Sequence, residues 1–557
     1  MTTTPAPDGL PTTTRRRGMP GPARRGWRKA FTRRRLVTTG VILALTGGLV
    51  TWIVWPDGQP VRAESAFVTV NSGPGRDEPI RLDTTIFVPD SATADDPAPA
   101  VLVAHGFGGS KATVAADARE LAQQGYVVLT WSARGFGQSA GQISLDHPDY
   151  EVNDARGLVD LLARRPDVQK DAEGDPRLGV VGGSYGGGLA LLLAGHDQRV
   201  DAIVPQITWH DLAGAFFPEA RGAGPEQGVF KRTWAGLFFG TGSGLSVASL
   251  LGPGAPSRAG LDPQRAQCGR FRADVCKAYL EVATTGRASA ESVALLRRSS
   301  PAPVLGRIKA PTLLVQGQGD TLFPLSEAEA NARGIAAAGT PVRVAWYSGG
   351  HDGAGSNSDI DRVKFLTLQW LDHYLAGKGP APATSFTFST SGGISVRSSR
   401  PTTITYATDR YPGLTGDTAP TRIDLEGPPQ PVANPPAGTP AALSSLPGVS
   451  GLTALVGGVS LDVPGQFAAF QSPVLDEPLT VVGAPTVSIK AASPTGEAVL
   501  FVKLYDVNAD GRPLLPSGLV APVRLTGLPA TLAEARPVTV TLPALAYRFE
   551  TGHRLRV

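Results

Sequence analysis

The segment Leu178–Gly186, LGVVGGSYG, constrains this chain more than any other feature. A short apolar run, Leu178–Val181, reads as a buried strand, and the small or apolar stretch Gly188–Ala194 reads as a helix. Between them lies Gly182-Gly183-Ser184-Tyr185-Gly186. Gly-x-Ser-x-Gly at such a junction describes a tight strand-to-helix turn. A side chain at position 182 or 186 would collide with the neighbouring strand and helix, so glycine is required. The turn lifts the Ser184 hydroxyl into a cleft and aims the Tyr185 backbone N–H at the same place.

The flanking sequence has the rhythm of strands joined by crossover helices. After a short polar connection to about residue 66 and an early edge sequence, Ala100–Ala104 is the first clear strand. Lys111–Gln124 has helical spacing, Tyr126–Trp131 is a strand, Val152–Arg164 is a helix, and Ile203-Val204 closes another strand. The rhythm lapses over 206–305, which is rich in Phe, Trp and Gly and is expected to form a mostly helical insertion over the sheet. It resumes with Thr312–Gln316, a helix around Ser326–Ala338, Val342–Tyr347 and a long helix over Asp359–Leu375. The breakers Gly377-Lys378-Gly379-Pro380 end that helix. Beyond residue 385, short alternating runs at Leu479–Val482, Thr486–Lys490, Val499–Leu504 and Val538–Leu542 predict a β-sandwich. The expected organisation is a first core part over 67–205, a cap over 206–305, a second core part over 306–380 and a sandwich over 385–557.

A serine hydroxyl is a poor nucleophile without a base. His351 follows the strand Val342–Tyr347 in Ser348-Gly349-Gly350-His351-Asp352-Gly353, at a strand's carboxyl end. It is the candidate to take the serine proton and return it to the leaving group. Asp320 occupies the equivalent loop after Thr312–Gln316, where it can orient the imidazole and stabilise its protonated form. Asp352 competes for that role, but a residue adjacent to His351 is poorly placed to supply a buried orienting contact. A second oxyanion donor is expected in His105-Gly106-Phe107-Gly108-Gly109, with the Phe107 N–H acting beside that of Tyr185. His105 and Arg134 are expected to hold loops rather than react. No lysine-bearing phosphate loop, HExxH motif or paired-carboxylate signature competes with this set, and no cofactor or metal is expected.

Charge separates the N-terminus from the rest. Residues 1–35 carry ten Arg or Lys and one acid, a charge of +9, which leaves −5 for 36–557. The basic character therefore belongs to a tail read as disordered and cytoplasmic, and a nucleic-acid groove in the globular part is not expected. Leu36–Trp55 follows with no charged residue. As a helix it would span about 30 Å, so 36–56 is either a membrane anchor or an export signal. Thr32–Val37 resembles a twin-arginine signal, and Val61-Arg62-Ala63 offers a cleavage point. Both readings place the remainder outside the cytoplasm. Cys268 and Cys276 are the only cysteines. On one straight helix they would stand about 12 Å apart, too far to bond; outside the cytoplasm a turn near Gly269 would let them pair, and two reduced thiols are the default expectation.

The assembled motifs resemble the family that includes Xaa-Pro dipeptidyl-peptidases, cocaine esterase and α-amino-acid ester hydrolases. The likeness is carried by Ala133–Ser139 (ARGFGQS), Gly182–Gly187 (GGSYGG), Asp320-Thr321 and Gly350-His351. It continues in Phe470–Pro473, the strands flanking Gly483-Ala484-Pro485, Val502–Gly511 (VKLYDVNADG) and Tyr547–Arg556. The resemblance implies an α/β-hydrolase core with a helical cap, a C-terminal jelly-roll β-sandwich, and metal-free hydrolysis of an amide or ester through an acyl-enzyme. Its dipeptidyl-peptidase branch is the leading substrate expectation and carboxylester hydrolysis the alternative. A non-catalytic binding protein on a hydrolase scaffold is the reading from another class. Two departures stand out. Several relatives use a tyrosine hydroxyl in the oxyanion hole where this chain has Phe107, and relatives continue past the position of Val557, so a truncated sandwich is expected.

Overall fold

Strands buried on both faces need continuous apolar sequence, and the runs AVLVA, VVLTW and TLLVQG provide it. In the computed structural model these runs lie in one ten-stranded sheet. Described residues are 58–244, 267–383, 385–394, 401–415, 420–436, 438 and 462–557. The basic tail and the uncharged segment 36–55 lie outside them.

The sheet strands are β1 (Val61–Ser72), β2 (Glu78–Pro89), β3 (Ala100–Ala104), β4 (Val127–Trp131), β5 (Leu178–Gly183), β6 (Val200–Gln206), β7 (Thr312–Gly317), β8 (Val342–Tyr347), β9 (Phe386–Ile394) and β10 (Pro401–Thr408). They are ordered β1-β2-β4-β3-β5-β6-β7-β8-β9-β10. Neighbours from β4 through β9 are parallel, and the outer pairs are antiparallel. Alternation sorts side chains between two faces. Leu102 and Leu129 join one core with helices α2 (Asn153–Ala163), α3 (Tyr185–His196) and α8 (Leu325–Ala337). Val101, Val103 and Val128 join the other, with α1 (Ala115–Gln123) and α9 (Asn357–Tyr374).

Several boundaries differ from the sequence reading. Residues 61–66, read as connection, form half of β1, which pairs with β2 along its whole length. Most β1 side chains there are exposed, so no apolar alternation marked the strand. Helix α1 begins at Ala115 rather than Lys111, and a turn over Pro148–Val152 precedes α2. Strands β9 and β10 extend the central sheet, although they follow residue 385. Thr387 pairs with Ala345, and the Phe386 ring packs edge-on against Trp346 at 4.8 Å.

Between β6 and β7 the described residues include α4 (Leu212–Phe216), α5 (Arg232–Gly242), α6 (Ala273–Thr285) and α7 (Ala290–Arg298). Cys268 and Cys276 form a disulfide with Cα atoms 5.5 Å apart. Only Cys276 is on α6; Cys268 precedes the turn at Gly269, so the straight-helix separation does not apply.

The C-terminal part is all-β and built from small antiparallel pairs. Leu479–Gly483 meets Leu545–Phe549, Thr486–Ile489 meets Val538–Thr541, and Glu497–Val502 meets Ala521–Thr526. Arg554–Arg556 pairs with Tyr505–Val507 on one side and is bridged to Gln471 on the other. The whole arrangement is an α/β-hydrolase core with a helical cap, followed by a β-sandwich.

Candidate active site

The loops that matter follow the carboxyl ends of β3, β5, β7 and β8, four of the parallel strands, where functional side chains of open α/β sheets gather. Ser184 joins β5 to α3 with φ 55° and ψ −116°, a conformation that non-glycine residues seldom adopt. The turn closes only because its flanking positions lack side chains. A Cβ on Gly182 would overlap the backbone of Gly186, and one on Gly186 would overlap the Ala104 carbonyl of β3.

Ser184, His351 and Asp320 meet. The Ser184 Oγ lies 2.7 Å from His351 Nε2, and His351 Nδ1 lies 2.7 Å from Asp320 Oδ2. A buried carboxylate accepts from Nδ1–H, which leaves Nε2 free to accept from the serine hydroxyl. Asp320 is fully buried. Its Oδ1 accepts the N–H groups of Leu322 at 3.0 Å and Phe323 at 2.7 Å, and its Oδ2 also accepts the His351 N–H at 3.2 Å. Asp352 is used differently: its carboxylate accepts the Thr321 N–H at 2.7 Å and bonds the Thr321 hydroxyl, bracing the loop that carries Asp320.

Tyr185 opens α3, so its N–H has no carbonyl one turn back within the helix. The Phe107 ring packs edge-on against the Tyr185 ring at 5.5 Å, beside Ser184, and offers no hydroxyl. His105 is buried with a lowered pKa, desolvation being the main cause. Its Nε2 accepts the Ala133 N–H at 2.9 Å and its Nδ1 bonds the Gly106 carbonyl at 2.7 Å, fixing two loops to each other. Arg134 is likewise internal, held by both oxygens of Asp154 at 2.6 and 2.7 Å and by Ser72.

Sequence reasoning missed the groups beneath these loops. Lys231, at the start of α5, donates to the carbonyls of Thr321 at 2.8 Å and Leu322 at 2.7 Å, tying the cap to the Asp320 loop. Burial pulls its pKa down to about 8. Glu151 accepts from the Tyr185 hydroxyl at 3.2 Å and from the Ser144 and His147 N–H groups. Burial is the largest influence on its carboxyl, which is pushed up to about 7. Neither residue belongs to a local motif, so only spatial proximity reveals them.

A cleft opens beside Ser184. Its described lining is dominated by Phe, Leu, Trp and Tyr side chains from the cap and from the loops that follow β3 and β7. Among the described residues, no cluster of three or more His, Cys, Asp or Glu is arranged to hold a metal, and no helix is long and apolar enough to cross a membrane.

Two family descriptions match the chain. The X-Pro dipeptidyl-peptidase (S15 family) covers residues 77–340, and the X-Pro dipeptidyl-peptidase C-terminal non-catalytic domain covers 407–557. Among solved structures the chain is similar to an aminopeptidase of a marine sediment archaeon, Thaumarchaeota archaeon. The TM-score is 0.59 at 14% identity, with 90% of this chain and 88% of that chain covered. It is also similar to an α-amino acid ester hydrolase, with TM-score 0.59, 16% identity and 90% of both chains covered. At such identities the likeness is one of fold. Among curated proteins it is similar to the bis(hydroxyethyl) terephthalate hydrolase of Streptomyces coelicolor, 32% identical over 126 residues, 23% of this chain and 37% of that protein. The chain spans about a third of the length of the first curated relatives it matches, 34% and 38%.

Proposed function

This chain belongs to the X-Pro dipeptidyl-peptidase (S15) family of serine hydrolases, and from that premise we propose that it cleaves its peptide or ester substrate by acyl transfer through Ser184. The supporting observation is the pair of 2.7 Å contacts on His351, which join residues 167 and 31 positions away in sequence. Ser184 Oγ attacks the substrate carbonyl while its proton passes to His351 Nε2, and Asp320 stabilises the resulting imidazolium. The N–H groups of Tyr185 and Phe107 receive the oxyanion, with backbone donation taking the place of a tyrosine hydroxyl. His351 then protonates the leaving alcohol or amine. Water, deprotonated by the same imidazole, releases the acyl group and restores Ser184.

A fluorophosphonate probe tests this reading. Stoichiometric labelling of the wild type that is lost in Ser184→Ala is expected; folded wild-type protein that takes no label would overturn it. Xaa-Pro anilides, other N-terminal peptide anilides and small acyl esters are the substrates to compare.

We also infer that the hydrolase works outside the cytoplasm. The basic tail followed by uncharged 36–55 supports export, with either retention as an anchor or removal as a signal. The pairing of the only two cysteines is at home in an oxidising compartment. Carbonate extraction of membranes, with N-terminal sequencing of the mature protein, tests both versions. Recovery of intact chain in the cytosol would count against export.

A further inference from the structure

The aromatic side chains around the cleft form a connected wall that nothing in the acyl-transfer chemistry requires. Phe107, beside Ser184, meets Phe238 edge-on at 5.2 Å and lies parallel to Phe271 at 6.0 Å. Phe271 stacks on Phe239 at 5.3 Å, and Phe239 stacks on Tyr279 at 3.8 Å. Contact thus passes from ring to ring, from the reacting serine to helix α6. Phe271 itself lies between Cys268 and Cys276, so the disulfide closes the loop that presents it. The residues described around the cleft are uncharged.

We propose that this cleft binds the acyl half of the substrate and selects an arylalkanoyl group that carries no α-amine; the proposal rests on the acyl-transfer reading above. Apolar rings bury a phenyl group favourably and add edge-to-face contacts as it enters. An α-ammonium in the same place would lose its water with no carboxylate among the described lining residues to replace it. Ring faces do attract cations, but Phe239 is already stacked with Phe271 and with Tyr279. The choice between an acyl group with an amine and one without is therefore made by desolvation.

The test compares kcat/KM of the full-length protein for four substrates: p-nitrophenyl acetate, p-nitrophenyl 3-phenylpropanoate, the p-nitrophenyl ester of L-phenylalanine, and Ala-Pro-p-nitroanilide. The second and third differ only by the α-amine. The 3-phenylpropanoate is expected to exceed the acetate by at least tenfold, roughly the effect of two buried methylenes. It is also expected to exceed the phenylalanine ester and the anilide by at least tenfold. Ala278→Trp, which fills the cleft from α6, should lower the phenylpropanoate-to-acetate ratio at least fivefold in protein shown to be folded by its circular-dichroism melt. The wild-type ratios decide the matter if that variant does not fold. Any wild-type ratio below ten overturns the acyl-group assignment and leaves the hydrolase reading intact. Folded wild type that takes no fluorophosphonate label and turns over none of the four substrates overturns both.

Discussion

At Ser184 the strained backbone is held from two sides: its N–H donates to the Gln206 carbonyl at 2.9 Å, and the Thr208 hydroxyl donates to its carbonyl at 2.9 Å. Neighbours that over-determine a turn can maintain a conformation costing about 1–3 kcal/mol. Asp320 couples position and chemistry even more tightly, because the carboxylate that faces His351 also gathers three backbone N–H groups. Asp320→Asn preserves the shape but presents an amide to Nδ1, which favours the wrong tautomer. Steady-state kinetics should show kcat lowered by roughly 10³–10⁴ with a far smaller change in KM. Glu151 supplies a pH prediction. Its folded pKa of about 7 lies above the ordinary 4.5, so the folded chain keeps a proton that the unfolded chain releases. The associated stability is complete below pH 4.5 and is lost as pH rises through 7, on the order of 3 kcal/mol. Denaturant melts of Glu151→Gln should be flatter than wild type across that interval; an unchanged slope would assign the effect elsewhere.

Among the elements, α5 and α6 have more to do than cover the sheet. Helix α5 carries Lys231 down to the Asp320 loop and presents Phe238 and Phe239 to the cleft, while α6 presents Tyr279. The disulfide joins α6 to the turn before it across a sequence separation of 8. Closing so short a loop limits the unfolded segment by about 2–3 kcal/mol in the chain-entropy account. The double substitution Cys268→Ser with Cys276→Ser should therefore loosen the Phe271 wall while sparing the β-sheet loops. KM for bulky aromatic esters should rise at least threefold, with kcat for acetate within about twofold of wild type. Equal losses on both substrates would mean that the disulfide supports the reacting residues instead.

At the scale of the whole molecule, Ala220 ties the sandwich to the cap among the described residues. The Ala220 N–H donates to the Pro522 carbonyl at 3.1 Å, and the Thr541 N–H donates to the Ala220 carbonyl at 2.9 Å. Ala220 also packs against the sandwich core around Val523 and Val540. The Arg287–Glu497 pair nearby is half-exposed at 3.8 Å, and such pairs contribute little. Ala220→Pro deletes the donor and should weaken the junction by about 1–2 kcal/mol. Calorimetry of the variant should resolve the sandwich as a separate, earlier transition. One unshifted transition would show that the packing alone holds the junction.

Much of the candidate site was legible because it is written locally. A glycine-flanked serine after an apolar strand, a histidine after one later strand and an aspartate after another each follow from sterics and hydrophobic period within a dozen residues. The choice of Asp320 over Asp352 was also legible, since a residue adjacent to the histidine cannot easily turn back toward its ring. Tertiary structure decided what depends on distant segments meeting. It put β9 and β10 into the central sheet through Trp346 and Phe386, paired Cys268 with Cys276 across a turn, and brought Lys231 under the carbonyls of Thr321 and Leu322. It also gathered Phe107, Phe239, Phe271 and Tyr279 into one wall, although their positions in sequence share no period. Local stereochemistry sets which turns and strands a segment can form; burial and hydrogen-bond demand, satisfied only in the folded whole, select which side chains meet.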